Sequence, residues 1–104
     1  MFPKHSRYKT SGIDRAIAPD LQQLLWRLID LRLKQKAVMD YLQVFELSTQ
    51  QFAGIKIQRI VHRQEQPPYK KSWQWDSGQL PVRDVTVWIV DSGPYCTMML
   101  PSEY

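Results

Sequence analysis

PDLQQLLWRLIDLRLKQKA, residues 19–37, decides the fold, because no other stretch of the chain sustains a helical period. Leu21, Leu24, Leu25, Leu28 and Ile29 recur at the spacing of one helical face, while Gln22, Gln23, Arg27, Asp30 and Lys34 fall largely on the other side. Pro19 suits the first helical position, where its missing N–H would have no partner, and Asp20 complements the positive end of the helix dipole. Asp30 and Lys34 stand in the order that favours an ion pair, worth about 0.3 kcal/mol. The spacing predicts a helix from Pro19 to between Gln35 and Ala37. Trp26 flanks the apolar stripe and is expected to lie over a sheet edge.

Downstream of this helix every segment reads as strand. Asp40–Leu47 (DYLQVFEL) is apolar on both alternations, as an interior strand requires. Ile55–His62 (IKIQRIVH) sets Ile55, Ile57 and Val61 against Lys56, Gln58 and His62, with Arg59 and Ile60 breaking the pattern. Pro67 and Pro68 cannot continue a ladder. Tyr69–Trp75 then alternates strictly, Tyr69, Lys71, Trp73 and Trp75 against Lys70, Ser72 and Gln74, so these two strands are predicted to form a hairpin with a charged tip. Asp76-Ser77-Gly78 is a turn signal, Val82–Val90 is rich in β-branched residues, Asp91–Pro94 is a second turn, and Tyr95–Leu100 is the last predicted strand. A short N-terminal strand is predicted near Arg7–Ile13. Together these elements predict an α+β fold, one amphipathic helix packed on an antiparallel β-sheet of about five or six strands, with residues 1–104 as a single domain.

Composition narrows the class. A hydrophobic content of 43% with 12% aromatic residues marks a chain that folds rather than a disordered one. The lone cysteine, Cys96, excludes an internal disulfide. MFPKHSRYKT at the N-terminus has no apolar run of signal-peptide length, and LLWRLIDLRL and VTVWIV are too charged or too short to span a bilayer. A cytoplasmic protein with no membrane contact is the expectation.

Chemistry-bearing motifs are missing from the sequence. Four glycines and two histidines provide neither a phosphate-binding loop nor paired zinc ligands, and no nucleophile elbow occurs. Cys96 with His5 or His62 is the raw material for a thiol–imidazole pair, and on that basis a small hydrolase is a remote alternative. Flanked by Tyr95 and Thr97 in a predicted strand, Cys96 reads better as a small buried hydrophobe. No enzymatic activity, cofactor or metal is expected.

Charge is laid out unevenly. Between Lys56 and Trp75 five cations, Lys56, Arg59, Arg63, Lys70 and Lys71, face one carboxylate, Glu65, so these residues carry as much net charge as the +4 of the whole chain. Residues 76–104 are acidic, with Arg83 against Asp76, Asp84, Asp91 and Glu103. Cations interleaved with large rings are what a protein uses to hold a polyanion or an acidic partner. The expected partner-binding set is Lys56, Arg59, His62, Arg63, Lys70, Lys71, Trp73 and Trp75. Two readings of the rings compete, a stacking platform for bases or an inward face that buries them. Strict alternation favours the inward face and leaves the cations as the contact surface. His62 is read as a surface histidine at the hairpin shoulder, or as a pH-sensitive contact. The acidic C-terminal segment is a rival occupant of the basic surface, through cross-strand pairing.

RYKTSGI (7–13), LQQLLWRLID (21–30), DYLQVFELS (40–48), QRIVHRQEQPPYKK (58–71) and VWIVDSGPYCTMMLPSEY (87–104), in this order and spacing, resemble an uncharacterised family of small proteins from Gram-positive bacteria and their mobile elements, the domain of unknown function 960. The resemblance covers nearly the whole chain and brings no catalytic or ligand-binding residues. It implies an accessory gene of phages and plasmids, and so a non-enzymatic binding protein that disables a host protein or ribonucleoprotein, in its most concrete form an anti-CRISPR inhibitor of a Cas9-type nuclease. The alternative expectation is single-stranded nucleic-acid binding through the basic hairpin. A homodimer is compatible with either.

Overall fold

The computed structural model describes residues 1–76, Gly78 and 81–104. The elements are β1 (Arg7–Lys9), α1 (Ser11–Ala16), α2 (Pro19–Lys34), β2 (Leu42–Phe52), β3 (Ile55–Gln64), β4 (Tyr69–Trp75), β5 (Val85–Asp91), β6 (Cys96–Met99) and a closing 3-10 turn (Pro101–Glu103). All six strands form one sheet in the order β1-β6-β5-β2-β3-β4. Its pairings are antiparallel except for β1 on β6. The fold is therefore α+β, with the helices on one face of the sheet.

The predicted main helix starts at Pro19, with Asp20 in its first turn. It stops at Lys34 because Lys36 turns left-handed at φ 55°. Its N–H then bonds the Leu33 carbonyl at 3.0 Å and that of Ala37 the Arg32 carbonyl at 3.2 Å, which satisfies two of the last carbonyls. Lysine gives no sequence signal for such a stop, since glycine is the usual occupant. Asp30 does not engage Lys34: its carboxylate holds the Arg7 guanidinium at 2.6 and 3.2 Å, tying edge strand β1 to α2. Arg7 also covers the Trp26 ring at 4.8 Å, placing Trp26 over the sheet edge as expected. Gln22, expected on the polar side, is buried because its amide donates to the Ile17 carbonyl at 3.0 Å and to Asp14 at 3.1 Å.

The predicted N-terminal strand corresponds to only three residues of β1. Thr10 then caps α1, its hydroxyl oxygen accepting from the Ile13 N–H at 3.4 Å. The Glu103 carboxylate accepts from the same hydroxyl at 2.6 Å, and a side chain at Gly12 would come within 3.0 Å of that carboxylate. β2 runs five residues past its predicted end and turns into β3 through Ala53 and Gly54, both left-handed at φ 52° and 80°. β4 has its predicted bounds. β5 starts at Val85 rather than Val82, and Ser77 of the predicted 76–78 turn lies outside the described residues.

One core lies between helices and sheet. Ile13, Ile17, Leu21, Leu25, Leu28 and Ile29 pack on Phe45, Leu47, Ile60, Val87, Ile89 and Met98. Register fixes the face, since Phe45 stands opposite His62 on β3 and Val87 on β5. The consequence for β3 reverses the sequence reading: Gln58, Ile60, His62 and Gln64 point to the helices and are buried, while Ile57, Arg59 and Arg63 point away. Among the described residues, no helix is long and apolar enough to cross a membrane.

Candidate partner-binding surface

The β3–β4 hairpin distributes its cations over both sheet faces. Arg59 and Arg63 on β3 and Lys70 on β4 stand on the face without helices, Arg63 opposite Lys70 and Arg59 opposite Gln74. Lys71 is on the helix face, and Lys56 is exposed near the far end of β3. Arg63 meets the half-exposed Glu46 at 3.3 Å, a pair that solvent reduces to at most about 1 kcal/mol. Arg59 donates to the Ser72 hydroxyl at 3.2 Å. Lys71 rests its ammonium over the Trp73 ring at 4.4 Å. Among the described residues, Lys56, Arg59, Lys70 and Lys71 have no carboxylate within 4.0 Å.

The acidic C-terminal segment does not occupy this surface. β5 and β6 lie on the far side of β2, and the acids of residues 76–104 accept from backbone groups. Asp84 accepts from the Thr49 N–H at 2.7 Å, Asp91 from the Phe2 N–H at 3.1 Å, and Asp76 from the Gly78 N–H at 2.9 Å. Glu103 accepts from Thr10 and from the Leu100 N–H at 2.8 Å, bonds that hold its carboxyl below the usual range.

His62 is not a surface histidine. It is 1% exposed, stacked on Phe45 at 4.3 Å and met edge-on by Tyr69 at 5.4 Å. A closed set of amides fixes its state. The Gln43 amide donates to the Asp40 carbonyl at 2.9 Å and to Gln64 Oε1 at 2.7 Å, which leaves Gln43 Oε1 to accept from His62 Nε2 at 2.7 Å. The Gln64 amide in turn donates to the carbonyls of Val38 at 3.0 Å and Pro67 at 2.8 Å. Burial, and secondarily the Arg32 charge, push the imidazole pKa down to about 3. His62 is thus neutral, sealed from partners, and removed from the expected contact set.

Trp73 and Trp75 face the helices and are half-buried, packed against the core. Trp75 closes a groove of about 310 Å³ with Leu24, Gln23, Arg27 and Asp20. The indole N–H of Trp73 is buried and meets no acceptor among the described residues. Neither ring is part of a stacking platform on the open face. Cys96 and His62 stand on β6 and β3 with two strands between them, about 14 Å apart at the usual strand spacing, so no thiol–imidazole pair forms between them. Burial also raises the thiol pKa. No group of three or more metal-ligating side chains is found among the described residues.

The open face carries a further feature that sequence reasoning missed. Trp88 stands beside Val44 on β2 and Met99 on β6, and the Tyr104 ring meets it edge-on at 5.6 Å. Tyr8 and Tyr95 form another edge-to-face pair at 5.9 Å. The alternation of β5, Val85, Val87 and Ile89 against Thr86, Trp88 and Val90, was the signal available, since it sets Trp88 opposite the core residues.

Together these features define a two-layer α+β protein whose sheet has helices on one side and an aromatic and cationic surface on the other. The chain belongs to the family described as staphylococcal protein of unknown function (DUF960), whose sequence model matches residues 6–103. Among solved structures it is similar to a protein of unknown function from Enterococcus faecalis, at 24% identity and a TM-score of 0.72 over 100% of this chain and 98% of that one, a likeness of fold. No curated protein matches the chain.

Proposed function

We propose that this protein is a non-enzymatic binding domain that docks an anionic macromolecular partner on the β3–β4 hairpin. One observation carries the reading: among the described residues, Lys56, Arg59, Lys70 and Lys71 have no carboxylate partner, while Asp84, Asp91 and Glu103 of the C-terminal segment bond elsewhere. Exposed cations that serve only solubility are normally interspersed with acids; here β4 carries two lysines and no acid. A ribonucleoprotein supplies the complementary charge, and inhibition of a guide-RNA-dependent nuclease is the specific form to test. The inward set of Trp73 and Trp75 makes base stacking on them the weaker reading.

The test is a cleavage assay with a Cas9-type ribonucleoprotein, alongside titration of polyglutamate and of single-stranded oligonucleotides followed by anisotropy. Inhibition or binding that falls steeply with salt, and at least about tenfold in Arg59→Glu/Lys70→Glu, is the expected outcome. Absence of inhibition together with absence of binding to both polyanions at low salt would refute the proposal.

A further inference from the structure

Strand β4 ends the sheet, and its geometry suggests how a partner is held. It is paired with β3 along one edge and, among the described residues, with no strand along the other. Over seven residues it contains no proline, glycine or acid, so it offers an unbroken row of unpaired backbone donors and acceptors. The opposite edge, β1, is only three residues long. Natural edges of this length are usually blunted by charge, and Lys70 and Lys71 do that against another basic strand, a second copy of β4 included. They do the reverse for an acidic one.

The two faces flanking this edge differ, and the difference specifies a pattern. Beyond β4 on the open side lie Lys70 and, one strand in, Arg59. On the helix side lie the half-buried rings of Trp73 and Trp75, with the Lys71 ammonium over Trp73, and the groove beside Leu24. A strand added here directs alternate side chains to the two sides. We infer that β4 captures an extended segment of a partner protein by strand addition, as a seventh strand whose outward side chains are acidic and whose inward side chains are apolar. Backbone pairing gives such a complex its affinity, and the alternate contacts with cations and indoles give it register and selectivity. The inference rests on the hairpin being the contact surface and adds the partner's chemistry and mode of engagement.

The experiment uses a blocked nine-residue peptide of alternating glutamate and valine, and the same peptide N-methylated at alternate residues so that one backbone edge cannot donate. Amide hydrogen exchange of the full-length protein is read by NMR with each. The expected result is exchange slowed at least about tenfold at alternate amides of β4 by the first peptide only, and lost in Lys70→Glu/Lys71→Glu, whose fold is checked by its amide spectrum. Equal binding of both peptides, with shifts confined to Arg59 and Arg63, overturns strand addition while leaving the hairpin as a charged surface. Protection of β4 that rises with protein concentration in the absence of peptide overturns it in favour of self-pairing. No binding of either peptide, where oligonucleotides bind, overturns it likewise; no binding of peptides, polyglutamate or oligonucleotides removes the underlying reading too.

Discussion

His62 concentrates the residue-scale physics of this protein. Its imidazole is held neutral between Phe45 and the Gln43 amide, with a pKa near 3 against 6.5 in the unfolded chain. Below pH 6.5 the unfolded state therefore binds a proton that the folded state refuses. This contribution to stability is whole above the unfolded pKa and is lost as pH falls toward the folded one, by up to about 1.4 kcal/mol per pH unit. Urea unfolding at pH 7 and pH 5 measures it. Wild type is expected to lose about 2 kcal/mol more than His62→Leu over that interval, although the variant starts less stable at pH 7 because it leaves the Gln43 oxygen unpaired. Equal acid sensitivity in the two proteins would show that His62 protonates freely in the folded state. The sequence placed this residue at a strand end and on the polar alternation, and both facts are compatible with exposure. What buries it is a network assembled from residues far apart in the chain, which no local pattern reveals.

Among the elements, those written in periodicity were legible and those written in side-chain capping were not. The α2 stripe and the β4 alternation gave correct starts because burial on one face imposes them. α1 was missed: Thr10 caps it, but Ser11 and Gly12 are poor helix formers and resemble a turn. The faces of β3 were reversed because Gln58 and Gln64 look like surface residues. Gln58 serves instead as a splint. Its amide accepts from the Arg83 N–H at 2.8 Å and donates to the carbonyls of Arg83 and Ser48, both at 2.9 Å, which fastens the segment entering β5 across the end of β2 and β3. Gln58→Leu is expected to cost about 2–4 kcal/mol, the desolvation of the backbone groups left without partners. Thermal denaturation checks it, and a loss below about 1 kcal/mol would mean that water replaces the amide.

At the scale of the whole molecule, charge is sorted along the sheet. Among the described residues, Lys56, Arg59, Lys70 and Lys71 gather at the β3–β4 end without a carboxylate partner, and Asp84, Asp91 and Glu103 cap backbone groups elsewhere. Arg59→Glu/Lys70→Glu, one half-buried and one exposed surface site, is therefore expected to leave the unfolding free energy within about 1 kcal/mol of wild type, while shifting retention on a cation-exchange column strongly. A large destabilisation would mean that these side chains support the sheet rather than face a partner. The general placement of this charge was legible in the sequence, whereas its freedom from the acidic segment depends on strand order. That order has a further consequence in time. β1, near the start of the chain, is held by Cys96–Met98, almost ninety residues later. Its partner strand is made only after the four strands that lie between them in the sequence. Closing so long a loop costs more chain entropy than closing the hairpins between, so residues 7–9 are expected to pair after those hairpins have formed.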